Sequence, residues 1–312
     1  MTDPRFSGVP LRSLICATDL ESDSGHALER ATRLARQHGA QLHALHVVGG
    51  SAMDALRQWL GAESLAEQAL VASARDDLNR ILTPVLHAAG VRANAVVLAG
   101  AVPDQVIAAA HRVGAELLVV GAGRANALRH VVLGSTADRL LRRGHRPVLV
   151  ARQAAMCDYA RVLVAVDFSS WSPGCLAWAQ RIAPQAHCVL HHVWGVPFEE
   201  KLRFAGVDEA TVQAYEQAAQ ASAHRRLHDL AAQAGLSASA WTPSLVRGDA
   251  GLSTVLAAQE LDCDLIVIGK HGRNAAQDLL LGSVTRHILG ESIQDVLVTT
   301  QAAPIAPTAQ MP

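Results

Sequence analysis

The chain has 312 residues, half of them apolar and 4% aromatic, with 27 Lys and Arg against 28 Asp and Glu. A formal charge of −1 provides no basic face for nucleic acid, and no apolar stretch approaches the roughly 20 residues that span a bilayer. Met1–Pro10 contains no apolar h-region of a secretory signal, and the five cysteines (Cys16, Cys157, Cys175, Cys188, Cys263) show no C-x-x-C spacing, so the expectation is a cytoplasmic protein of about two domains, with no nucleic-acid or membrane partner.

In chain order, short β-branched apolar runs predict strands near Leu14–Thr18, Gln41–Val48, Ala93–Leu98, Glu116–Val120 and Val148–Val150, with helices between them and Ser24 at the start of the first. Arg152–Asp158 reads as a linker. The run Arg161–Val166 then ends at Asp167, and Ser169-Ser170-Trp171-Ser172-Pro173 predicts a helix start with Ser172 as N-cap and Pro173 at the first helical position. A strand over Cys188–Val193 precedes a long helix from Asp208 to Ala234, whose stripe Val212, Tyr215, Ala219 suits packing on a sheet. Next come a strand over Ser239–Val246, a short helix after Gly248-Asp249, the strand Asp264–Ile268, a helix from Ser283 and a strand over Val296–Thr299. The Ala/Pro-rich tail from Gln301 reads as disordered.

This is one unit written twice. Leu133-Gly134-Ser135 and Leu281-Gly282-Ser283 lie 148 residues apart, and the same offset links Asp19 to Asp167, Gly100 to Gly248 and Gly121 to Gly269. Alternating strands and helices imply right-handed crossovers and a doubly wound parallel sheet in each half. The expectation is therefore α/β, two tandem five-stranded domains over 1–151 and 159–300, with a tail over 301–312. Ligands of such sheets bind at the carboxyl ends of the strands, where Asp167 and Gly269 fall.

After strand Asp264–Ile268 the chain reads Gly269-Lys270-His271-Gly272-Arg273, then Gly282-Ser283, the pattern G-x2-G-x9-G-S. Glycines at 269 and 272 permit positive φ and close backbone approach, and amides of such a turn form an anion nest. Gly282-Ser283 opens a helix whose N–H groups and dipole favour phosphate. With hydrogen bonds to charged oxygens contributing about 1.5–3 kcal/mol each, three or four would hold a polyphosphate at micromolar levels. The loop is not a Walker A sequence, since no G-K-[ST] follows at the required spacing.

Val164-Ala165-Val166-Asp167-Phe168-Ser169, Asp264–Gly269 and Gly269-x2-Gly272-x9-Gly282-Ser283 together resemble the universal stress protein family, and the resemblance spans nearly the whole chain as two tandem domains. It implies an adenine nucleotide α-hydrolase-like fold with strand order 3-2-1-4-5 in each half. It also implies a pseudo-dimer in which Val148–Val150 and Val296–Val298 lie side by side about an approximate twofold. Residue by residue, it implies that Asp167 and Ala165 flank adenosine and that Val193 meets adenine through its backbone. Ile268, Gly269, His271, Gly272, Arg273, Gly282, Ser283, Val284 and Thr285 would then line ribose and phosphates, with Mg²⁺ reachable from Ser283. The implied protein is a bacterial-type ATP-binding sensor or regulator of stress, non-catalytic or a slow ATPase, with an unidentified protein partner and further homodimerisation open. An ATPase or adenylate-transferring enzyme on the same sheet, and a nucleotide-free scaffold, are the alternatives.

The first half departs from this pattern. Gly121-Ala122-Gly123-Arg124 leads to Gly134-Ser135, so ungapped alignment sets Arg124 against Gly272, while a one-residue slip would match Gly123-Arg124 to Gly272-Arg273. The expectation is a degenerate first site, with the Arg124 guanidinium available to the phosphate region. Asp19 and Asp167 lack the lysine a phospho-accepting aspartate would need. His224 and His228 share a helix face without a third metal ligand, and His43, His46, His191 and His192 read as satisfied strand histidines. Lys270 and Arg273 could assist a nucleotide electrostatically, the plainer reading being exposed loop charges.

Overall fold

The computed structural model describes residues 9–20, 25–61, 64–123, 133–195, 204–272 and 281–300, without the side chains at 51, 52, 54 and 56. Ser24, Arg124, Arg273 and the tail from Gln301 lie outside the described residues. The first half runs β1 (Ser13–Thr18), α1 (Gly25–His38), β2 (Gln41–Val48), α2 (Ser51–Leu60), α3 (Leu65–Ala89), β3 (Ala93–Ala99), α4 (Val102–Arg112), β4 (Leu117–Gly121), α5 (Ser135–Arg143) and β5 (Val148–Ala151). The second runs β6 (Arg161–Ala165), α6 (Ser172–Ile182), β7 (His187–Trp194), α7 (Glu209–Gln233), β8 (Trp241–Arg247), α8 (Ala250–Glu260), β9 (Leu265–Gly269), α9 (Ser283–Glu291) and β10 (Asp295–Thr299).

All ten strands form one sheet, ordered β3-β2-β1-β4-β5-β10-β9-β6-β7-β8. Each half thus has the order 3-2-1-4-5 and is parallel throughout, and the halves meet where β5 and β10 pair antiparallel, Val148 opposite Val298 and Val150 opposite Val296. The central pair, Leu149 and Leu297, are repeat equivalents at the 148-residue offset. A local twofold therefore passes through that pair, as the resemblance implies, and the joint satisfies two strand edges that would otherwise stand open.

Strand residues alternate between two apolar layers because side chains alternate across a pleated strand. Leu14, Cys16, Val162 and Val164 pack with α1, α3, α6 and α7. Ile15, Leu163, Val189 and Ile266 pack with α4, α5, α8 and α9. Both faces are covered, which is why the strands read as unbroken apolar runs.

Three local expectations are corrected. Ser172 is the first residue of α6 and Trp171 its N-cap, because the Ser172 hydroxyl is drawn to Asp167 Oδ1 at 3.1 Å and does not cap. Strand β8 starts at Trp241, since residues 237–240 close a turn through Ala240 N–H donating to Ser237 O. On α7, Tyr215 is exposed and the buried stripe runs through Val212, Ala223, Leu227, Leu230 and Ala231.

Candidate functional site

Strand β6 delivers Asp167 to the carboxyl edge of the sheet. One carboxylate oxygen, Oδ1, accepts from Ser169 N–H (2.9 Å), Ser169 Oγ–H (2.6 Å) and Ser172 Oγ–H (3.1 Å). Beside this knot Phe168 takes φ +59°, a left-handed conformation that an L side chain seldom adopts. Leu20, its equivalent in the first half, takes φ +66°, so the bend belongs to the repeated unit. The Phe168 ring lies 4.4 Å from the His192 ring, and the Arg226 guanidinium sits 4.1 Å above its centroid. His192 Nδ1 meets Val166 O at 2.6 Å, as His46 Nδ1 meets Thr18 O at 2.9 Å in the first half.

Strand β9 delivers the glycine loop. Neither Gly269 nor Gly272 takes positive φ, which corrects the expected reason for glycine there. Space is the reason: a Cβ at 269 would lie 3.1 Å from Trp171 Cβ and 3.0 Å from His271 O, and one at 272 would lie 3.0 Å from Asp167 Oδ2. The expected nest is also narrower than the spacing suggests. The Lys270 amide donates to Thr299 O and the Gly282 amide to Lys270 O, while the Thr285 hydroxyl donates to Gly269 O at 2.8 Å. These bonds lock the loop against β10 and α9. Helix α9 has no side-chain cap at Gly282, and its first intrahelical bond runs from Arg286 N–H to Gly282 O. The amides of Ser283, Val284 and Thr285 therefore have no acceptor within the helix and form a positive terminus.

A cavity of about 850 Å³ opens between these elements. Ala165, Asp167, Val193, Ile268, Gly269, His271, Gly272, Gly282, Ser283, Val284 and Thr285 all line it; Arg273 falls outside the described residues. Its wall also includes residues that sequence reasoning did not assign to it: Phe168, Trp171, His191, His192, Trp194 and Arg226. His271 is buried, and its ring meets Trp171 edge-on at 5.3 Å.

His191 was expected to be satisfied, and it is only half so. Nδ1 pairs with Ser244 Oγ at 2.9 Å, while among the described residues the buried Nε2 has no partner. Burial, and then the neighbouring His192, pull its pKa down to about 4, so the imidazole is neutral at pH 7. Cys175, also in the wall, is held as a thiol, its pKa pushed up to about 12 by burial. Lys270, expected as an exposed charge, is buried and donates from Nζ to Arg142 O of α5 at 2.8 Å.

The first half has a cavity of about 350 Å³ at the equivalent place, lined by Asp19, Gly121, Gly123, Gly134 and Ser135 among others. The described ends of its loop match those of the second half without a gap: Gly134 N–H donates to Ala122 O as Gly282 N–H donates to Lys270 O. Gly123 stands where the second half has His271 and takes φ +90°, its Cα packed against Gly134. Among the described residues no group of three His, Cys, Asp or Glu side chains could hold a metal ion; the His224 and His228 rings lie 4.6 Å apart, tilted by 43°, with Trp241 edge-on to His228. All five cysteines are free. No described helix is long and apolar enough to cross a membrane.

Similarity to known proteins follows the same duplication. The universal stress protein family matches residues 10–152 and again 158–300. Universal stress protein G of Shigella flexneri is 33% identical over 131 residues, which are 41% of this chain and 89% of that protein. A universal stress protein of Mycobacterium tuberculosis is 29% identical over 203 residues, 60% of this chain and 63% of the relative's own length. The crystal structure of a universal stress protein from Archaeoglobus fulgidus shares the fold with a TM-score of 0.68 at 18% identity, over 94% of this chain and 98% of that one. With the family matching both halves of a ten-stranded sheet, the chain belongs to the universal stress protein family.

Proposed function

We propose that the second-half cavity binds an adenine nucleotide, ATP, and that the chain serves as a non-catalytic sensor or regulator under stress, with binding expressed through conformation or a protein partner. The observation carrying this reading is the convergence, in one cavity, of all the described residues that the family resemblance assigns to a nucleotide. The residues fit such a ligand. Asp167 and Ala165 stand at the end of β6 for adenosine, and Val193 offers backbone groups near the end of β7 for adenine. The uncapped start of α9 supplies N–H groups and positive dipole for phosphate, and Ser283 offers a hydroxyl that Mg²⁺ could share. Asp167 is the one carboxylate among the described lining residues, and its Oδ1 is committed to three hydrogen bonds. That favours binding over phosphoryl transfer, which needs a group to orient the nucleophile.

Calorimetric titration tests the reading. One ATP per chain should bind at micromolar concentration, and Gly272→Arg, which reproduces the first-half loop beside Asp167, should abolish binding. No heat at millimolar ATP would overturn the proposal. Loop-dependent hydrolysis above about one per second would replace it with an enzyme.

A further inference from the structure

We infer that the part of the second-half cavity lying against α7 is a distinct subsite for a second planar aromatic ring, carried on the same ligand as the adenine nucleotide; the inference rests on the nucleotide reading above. Among the described residues, no side chain of α3 lines the first-half cavity, whereas Ala219, Ser222, Ala223 and Arg226 of α7 line the second, which has more than twice the volume.

The two long helices show what changed. Each has 25 residues and each ends at a left-handed glycine, Gly90 or Gly235, where Val91 N–H donates to Leu86 O and Leu236 N–H to Ala231 O. That places α3 and α7 at an offset of 145 residues and makes Leu82 the equivalent of Leu227, both buried. At the same offset Leu78, fully buried, corresponds to Ala223, and the half-buried Ile81 corresponds to Arg226. The first half fills this space with its own leucine and isoleucine. The second removes the leucine's branched end and sets a cation at the rim. Water in this open cleft faces the apolar Ala219 and Ala223 of α7, and a ligand ring that displaced it would bury that surface, so a ligand group is the natural filling.

The surroundings define that group. The Arg226 guanidinium lies 4.1 Å over the Phe168 ring, and the His192 imidazole, tilted by 49°, lies 4.4 Å from that ring, with Trp194 also in the wall. Aromatic faces and a guanidinium plane favour a flat π system; an aliphatic chain would gain nothing from the cation. Asp167, Gly272 and the start of α9 line the same continuous cavity, so a ring joined through phosphates to an adenine nucleotide could occupy both parts at once.

Diadenosine tetraphosphate and ATP, titrated calorimetrically into the full chain, test this. The dinucleotide should bind one per chain and about fivefold or more tighter than ATP, the low end of base–aromatic stacking. Ala223→Leu, which copies Leu78, should erase that advantage and leave ATP affinity within about twofold. Arg226→Ile, which copies Ile81 at an exposed position, should reduce the advantage in a chain whose fold is checked by circular dichroism, and it serves if Ala223→Leu fails to fold. Equal affinity for the two ligands, an advantage that survives both variants, one dinucleotide per two chains, or a parallel loss of ATP binding in Ala223→Leu would each sink the subsite while leaving the nucleotide reading standing. Binding of neither compound would remove both.

Discussion

At the scale of residues, His191 records a trade between burial and ionisation. Its first-half equivalent on the second strand is Leu45, opposite Ala17 as His191 is opposite Ala165. Where the first half has an aliphatic side chain, the second therefore buries an imidazole with an unpartnered Nε2. In the unfolded chain a histidine titrates near 6.5; in the fold this one titrates near 4. Between those values the unfolded state binds a proton that the native state refuses, so stability falls as pH drops through that window. Urea unfolding should show His191 responsible for a loss of about 2 kcal/mol between pH 7.5 and 5, and His191→Leu should lose correspondingly less. Equal pH dependence in the two proteins would show that His191 is solvated. His43, whose pKa burial also lowers, leaves a residual slope in the variant. The sequence revealed His191 only as a strand residue, because whether Nε2 finds a partner depends on how β7, β8 and their covering helices pack. Phe168 was equally hidden: its left-handed φ recurs at Leu20, where Glu21 stands in place of Ser169, so it belongs to the bend after the first strand of each half and not to one side-chain contact that the residue order shows.

At the scale of elements, the legible features were those written in local periodicity. Apolar runs covered on both faces placed every described strand, and the glycine spacing placed the loop between β9 and α9. Less legible was the reason for each glycine. Spacing suggested left-handed backbone, whereas the structure uses Gly269 and Gly272 to bring the loop against Trp171 and Asp167. Lys270 shows the same limit. Its position in a loop suggested an exposed charge, yet its Nζ reaches the carbonyl of Arg142 near the C-terminus of α5, in the other half of the molecule. A cation there satisfies a carbonyl without an intrahelical partner and complements the helix dipole. Lys270→Met should destabilise the fold by about 1.5–3 kcal/mol, the range for a hydrogen bond to a charged group, and ATP affinity should fall as the loop loosens. If thermal melting and ATP titration both match the parent, the contact contributes nothing to the loop.

At the scale of the molecule, the question is what makes two copies behave as one body. The β5–β10 ladder is near-symmetric about Leu149 and Leu297, but the polar joint beside it is not. Asp295 is fully buried at the start of β10, where the first half has Pro147. Its Oδ2 accepts from Arg30 Nε at 3.0 Å and from the Tyr159 hydroxyl at 2.6 Å, and its Oδ1 from the amides of Arg152 and Gln153 at 2.7 and 3.1 Å. One carboxylate thus ties α1 of the first half, the linker and the last strand together, with Arg30 also stacked 4.0 Å over the Tyr159 ring. The duplicated sequence could predict the ladder, because both strands are apolar runs at equivalent places; it could not predict a clamp present in one copy only. Asp295→Ala leaves Arg30 buried without its counter-charge, and breaking a buried pair in this way costs about 3–5 kcal/mol. The halves should then unfold separately. Four of the five tryptophans (Trp171, Trp178, Trp194, Trp241) lie in the second half, so their fluorescence reports that half while far-UV circular dichroism reports both. In denaturant the parent should give coincident transitions by the two probes, and Asp295→Ala should separate them. Replacing the pair together, Arg30→Met with Asp295→Leu, should recover part of the loss, because no buried charge is then left alone. Coincident transitions in Asp295→Ala, with a loss below about 1 kcal/mol, would mean that the antiparallel ladder alone joins the two halves.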